Sequence, residues 1–99
     1  MDSQKTGNTK TWRKLLGKIV HVRWLDILSD PAWHSDKADL PKPAPCETAG
    51  FLVKVTSSYI VVAATRGNEN EQGDRDHGDS IAIPVGTIQN VAELAPKDP

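Results

Sequence analysis

Asp26, Asp30 and Asp36 lie close in sequence to Trp24, Trp33 and His34. A carboxylate held beside indole rings loses solvation and its pKa rises. It is then suited to general acid or base work, with His34 as a proton partner. The plainer reading is that Asp26 and Asp30 accept backbone donors in turns, with Asp30-Pro31 opening one. His21, His34 and His77 share no short metal-ligand spacing. The chain has no nucleophile elbow, no His-Glu-x-x-His pair and no phosphate loop. Gly73-Asp74-Arg75-Asp76-His77-Gly78-Asp79 spaces its carboxylates in a way that invites a calcium site. It lacks the ligand order and the distal Glu of a hand-type loop, and reads as a solvated hairpin tip. The expectation is a non-enzymatic chain with no catalytic residue, no metal and no cofactor.

Two sets of side chains suit binding instead. Trp24, Trp33 and Tyr59 accompany Pro41, Pro43 and Pro45, with Asp26 and Asp30 nearby. Aromatic surfaces and polyproline segments are common docking elements, so this set predicts a surface for a protein partner. The competing reading has Trp24 and Trp33 plugging one end of a small core. The second set is Lys10, Trp12, Arg13, Lys14, Lys18 and Arg23. It combines phosphate-binding charge with a stacking ring and predicts nucleic-acid contact as the alternative. An acidic stretch (Glu69, Glu71, Asp74, Asp76 and Asp79) opposes that contact unless it lies on the far side of the molecule.

These residues must be positioned by a small fold. Ninety-nine residues make one domain, with 37% hydrophobic and 25% charged residues and a net charge of −1. The charge balance gives no global pull toward nucleic acid or a membrane. Such a chain buries roughly two-thirds of its unfolded surface, so the strands must carry nearly all of the core. The lone Cys46 excludes an intrachain disulfide and a cysteine zinc site, and suits a reducing, cytoplasmic setting. No stretch approaches the roughly 20 apolar residues of a membrane span, and no signal peptide is expected.

Residues 1–11 read as a mobile tail. Thr11 to Leu16 reads as one helical turn, with Thr11 as N-cap, Gly17 as stop and Trp12, Leu15 and Leu16 as its packing face. Lys18 to Asp26 reads as a strand with Val20, Val22 and Trp24 toward the core. Residues 28–47 form a proline-rich excursion that stays out of the ladder, pinned to the body by Trp33. Thr48–Thr56 and Tyr59–Thr65 form a hairpin around Ser57-Ser58. Residues 66–80 form a solvated loop. Ile81 and Ile83 alternate into Pro84. Val85, Ile88 and Val91, three apart, predict a single tight turn before a last short strand. Residues 96–99 read as a tail, leaving one domain over 12–95.

Strand, long loop, hairpin, loop, strand, one-turn helix and strand, over roughly residues 17–94, resembles the Src-homology-3-like and Sm-like small barrels. Ile83-Pro84-Val85-Gly86-Thr87-Ile88-Gln89-Asn90-Val91 is similar to their closing motif. The resemblance implies an all-β, five-stranded barrel with a short N-terminal helical turn and one 3-10 turn before the last strand. Val85 stands where Sm proteins prefer a basic residue, which argues against an Sm-type RNA pocket. Val22-Arg23-Trp24-Leu25-Asp26, Ser29, Asp30 and Trp33, Cys46 to Val53 and Ile83-Pro84 also look like a set of short bacteriophage-encoded proteins. That likeness implies a phage or prophage origin and a small accessory protein in the host cytoplasm. It lends no activity. Oligomerisation is a further expectation, because small sheets close their open edges by self-association.

Overall fold

The structure, a computed structural model, describes residues 7–95. The terminal stretches 1–6 and 96–99, expected to be tails, lie outside the described residues. The elements are α1 (Thr9–Arg13), β1 (Ile19–Asp26), β2 (Ala44–Val55), β3 (Tyr59–Arg66), β4 (His77–Pro84), a 3-10 turn (Val85–Thr87) and β5 (Ile88–Glu93). The five strands are antiparallel in one sheet of order β4-β3-β2-β1-β5. The sheet is not closed: β4 and β5 are its edges, joined in sequence by the 3-10 turn.

One face of the sheet carries the core. Val20 and Val22 of β1 are buried with Leu52, Ile60, Val62, Ile83, Ile88 and Val91, and Trp24 packs against them. This is the expected parity of β1, and it follows from the period-two alternation of a strand with one buried face. Trp12 from α1 joins the same cluster at 1% exposure. A helix this short is unstable alone, so that indole anchors it.

The helix starts earlier than expected. Asn8 is the N-cap, and its Oδ1 accepts from the Thr11 backbone N–H at 3.1 Å. Thr11 therefore lies inside the helix, and the expected tail over 1–11 is corrected from residue 8 onward. The helix also ends earlier than expected, at Arg13 with Lys14 as C-cap. Leu15 and Leu16 therefore fall in the following turn. Gly17, left-handed at φ +82°, closes that turn and not the helix. The Gly17 N–H donates to the Leu52 carbonyl, and Leu52 N–H donates to the Lys18 carbonyl, which ties the turn to β2.

The ladder reaches further into both loops than the sequence suggested. β2 begins at Ala44, with Pro45 opposite Leu25 and Cys46 opposite Trp24, so the excursion spans residues 27–43. The pairing with β3 begins only at Phe51. Pro45 thus sits where β2 has a ladder on one side alone, and a residue without an N–H is tolerated there. Likewise β3 runs to Arg66 and β4 starts at His77, leaving residues 67–76 as the hairpin loop. Asn70 organises that loop: its Oδ1 accepts from the N–H groups of Gln72 and Asp74. Between β2 and β3, the Thr56 hydroxyl oxygen accepts from the N–H groups of Ser58 and Tyr59. That side chain supplies the closure that Ser57-Ser58 lacks without Gly or Asn.

Candidate functional site

The three rings of the expected aromatic set differ in burial and in what holds them. Trp24 lies on the core face, half-buried, and its indole N–H donates to Thr48 Oγ1 at 3.0 Å. A buried indole needs such a partner, so Trp24 is a finished structural element. Trp33 stands entirely in solvent, 100% exposed. The expectation that Trp33 pins the excursion to the body is therefore corrected. Tyr59 is half-buried, with the Lys54 ammonium 5.8 Å from its ring centroid. Trp24 and Tyr59 flank the same feature from opposite sides: Trp24 pairs with Ile88 and Tyr59 with Pro84, the two ends of the 3-10 turn.

The excursion holds a concentration of exposed apolar side chains that sequence reasoning missed. Ile27 is 85% exposed, and Leu28 and Leu40 join Trp33 in solvent. Nothing in the residue types of Ile27 and Leu28 distinguishes a solvated from a buried position. The excursion is locally shaped. Asp26 Oδ1 accepts from the Ile27 N–H at 2.8 Å, and Asp30 Oδ1 accepts from the Ala32 N–H at 2.9 Å. These are the expected turn-forming carboxylates.

Asp30 and His34 do meet, with Oδ2 and Nε2 3.0 Å apart, on exposed chain. The alternative of a carboxylate pKa raised beside tryptophan does not hold at Asp30. The Ala32 N–H and then the His34 ring hold Asp30 below its ordinary value. Both stabilise the charged carboxylate, and Trp33 stands clear of any packing contact that would desolvate it. A carboxylate held ionised in this way is a weak base, the opposite of what acid–base catalysis requires.

The basic set is also dispersed. Trp12 is buried in the core, so the expected stacking ring has no open face. Lys18 lies 3.8 Å from Glu93 in an ion pair. Arg23 sits two residues along β1 from His21, opposite Glu47 on one side and Asn90 on the other. His21 Nε2 in turn engages Glu47 Oε1 at 2.8 Å. Lys10, Arg13 and Lys14 remain exposed on α1 and the residue after it.

Among the described residues, no three His, Cys, Asp or Glu side chains gather in a way that could hold a metal ion. No helix among them is long and apolar enough to cross a membrane. No protein-family model, curated protein or solved structure matches this chain.

Proposed function

We propose that this chain is a non-enzymatic protein-interaction module that docks through the excursion between β1 and β2. The observation that carries the reading is the complete exposure of Trp33 in a segment that also holds out Ile27, Leu28 and Leu40. A soluble surface scatters single apolar residues, but four large ones in 17 residues of one loop mark an interaction site. Asp30, Asp36 and Asp39, with Asp26 at its root, outnumber Lys37 and Lys42 along it. A partner that fits offers an apolar patch rimmed by cations.

The strand order and the 3-10 turn between β4 and β5 support reading the sheet as a Src-homology-3-like or Sm-like barrel rolled around the core. The setting we propose is the host cytoplasm, for a small phage or prophage accessory protein. That setting rests on the quoted sequence likeness.

The test is affinity capture from bacterial lysate with the native chain, Trp33→Ala, and Arg13→Ala with Lys14→Ala. A partner retained by the native chain and by the double variant at high salt, but lost with Trp33→Ala, is the expected result. A partner held equally well by Trp33→Ala would overturn the reading.

A further inference from the structure

The exposed large apolar side chains among the described residues fall into two groups. Ile27, Leu28, Trp33 and Leu40 lie on the excursion. The others are Leu16, Ile19 and Leu94, at 44%, 42% and 44% exposure. β1 separates the groups: Ile19 opens the strand, and the excursion leaves its far end at Asp26. At about 3.3 Å per residue, that strand is roughly 25 Å long.

The second group belongs to a continuous row. Val20 is buried in the core, so its neighbour Ile19 points to the opposite face of the sheet. Phe51 pairs with Ile19 on one side. On the other, Leu94 extends the β5 ladder by donating its N–H to the Ile19 carbonyl at 2.8 Å. Cross-strand partners share a face, so Leu94, Ile19 and Phe51 form one apolar row there. The next pairs along β1 set His21 between Ala92 and Ala49, so only His21 rises beside the row.

Cations border this row. The Arg66 guanidinium lies over the Phe51 ring, and its Nη1 donates to the Gly17 carbonyl. Leu16 directly precedes Gly17, and Arg13 and Lys14 lead into that turn. Among the described residues, Arg13 and Lys14 have no ion-pair partner. At one end of β1 the chain thus carries an apolar projection with an excess of carboxylates, and at the other an apolar row bordered by cations.

We propose that the partner of the excursion is a second copy of this chain, with Trp33 seated on the row of Leu94, Ile19 and Phe51. The inference rests on the docking reading above. A foreign partner would cover the excursion and leave the row in water, whereas a second copy covers both groups. Asp30, Asp36 and Asp39 then face the border of Arg66, Arg13 and Lys14. Such rim charges set orientation more than affinity. The acidic hairpin loop beyond Arg66 limits the long-range pull, so the apolar row carries the contact. A single chain does not make this contact with itself, because Trp33 stands wholly in solvent. Two copies lying antiparallel make it twice about a two-fold axis, which closes the assembly.

Sedimentation velocity across a concentration series tests this on the native chain, on Trp33→Ala, and on Ile19→Lys with Leu94→Lys. The replaced side chains are all exposed, so the fold tolerates the exchange. Each variant is expected to raise the dimer dissociation constant roughly tenfold or more. An equal mixture of the two is expected to recover part of the association, because one of its two contacts is intact. A row variant that dimerises as the native chain does overturns the proposal, as does a mixture no tighter than its components. A native chain that stays monomeric at its highest soluble concentration also overturns it. Capture of another protein through Trp33 would then keep the docking reading with a foreign partner, and the lack of any such capture would remove both. Methyl NMR of the native chain decides the matter without variants. The Ile19 and Leu94 methyls and the Trp33 indole must shift together as concentration rises. A Trp33 shift without those methyls means another surface and overturns the seating.

Discussion

Arg66 donates from Nη1 to the carbonyl oxygen of Gly17 at 2.9 Å, while its guanidinium lies 4.2 Å from the Phe51 ring centroid. Arg66 is the last residue before the acidic hairpin loop, and Gly17 lies between Lys14 and Lys18. The acidic loop is therefore rooted at the basic segment. Its carboxylates oppose a polyanion where the cations would attract one. Labelled single- and double-stranded DNA and RNA are expected to show little anisotropy change at low salt. Replacing Glu69, Glu71, Asp74 and Asp76 by their amides is expected to strengthen whatever binding exists. Salt-sensitive binding by the native chain, lost on replacing Arg13 and Lys14, would restore the nucleic-acid reading.

The three tryptophans are expected to divide by burial. Trp12→Ala removes the largest side chain of the core and is expected to cost about 3–5 kcal/mol. That is a large share of the roughly 5–15 kcal/mol available to a domain of this kind. Trp24→Phe loses the bond to Thr48 Oγ1 and is expected to cost about 1 kcal/mol. Trp33→Ala is expected to stay within about 0.5 kcal/mol, because no folded contact is lost. Urea unfolding of the three variants measures this, and a Trp33→Ala loss comparable with that of Trp12→Ala would show that the excursion packs on the body.

Gly50 is required for a different reason from the turn glycines. A Cβ placed on it would stand 2.5 Å from the Ala63 carbonyl oxygen and 3.0 Å from Val62 Cγ1. The obstacle is backbone, so β2 and β3 would have to separate. Gly50→Ala is expected to destabilise by about 1–3 kcal/mol, although alanine is favoured over glycine in an ordinary strand. A neutral or stabilising result in thermal unfolding would contradict the close approach of these strands.

Asp30 carries the pH dependence of the excursion. Its folded pKa is depressed below 3.8 by the Ala32 N–H first and His34 second. A depressed carboxylate contributes stability that is fully present above its unfolded value and is lost as pH falls through its folded value. Local order in the excursion is thus expected to persist to below pH 3.8 and then decay. The Ala32 amide shift in an NMR titration should follow it with a midpoint below 3.8. A midpoint at or above that value would show the turn open in solution.

Much of the sheet was legible because its signals are local. The alternation of Val20, Val22 and Trp24, and the spacing of Val85, Ile88 and Val91, each place residues on one buried face. The extensions of β2 and β4 were not legible. Pro45 and the charged, glycine-bearing His77–Ser80 segment disfavour strands locally, and are drawn in by register propagated from Leu52 and Ile83. The N-cap at Asn8 was missed because Thr11 also suits the role. Only the packed position of Trp12 decides between them. For the candidate site, the turn-forming roles of Asp26 and Asp30 follow from residue type. The exposure of Trp33 does not, because a tryptophan in a small chain is usually needed for the core.

The most direct test of the docking reading is fluorine NMR of the chain labelled with 5-fluorotryptophan, comparing each resonance in light and heavy water. In the isolated chain Trp33 is expected to show the full solvent shift, Trp24 a partial one and Trp12 almost none, with the Trp33 shift alone lost when the captured partner is added. A Trp33 resonance shielded from solvent in the isolated chain would contradict the reading, because the excursion would then have its own body as its partner.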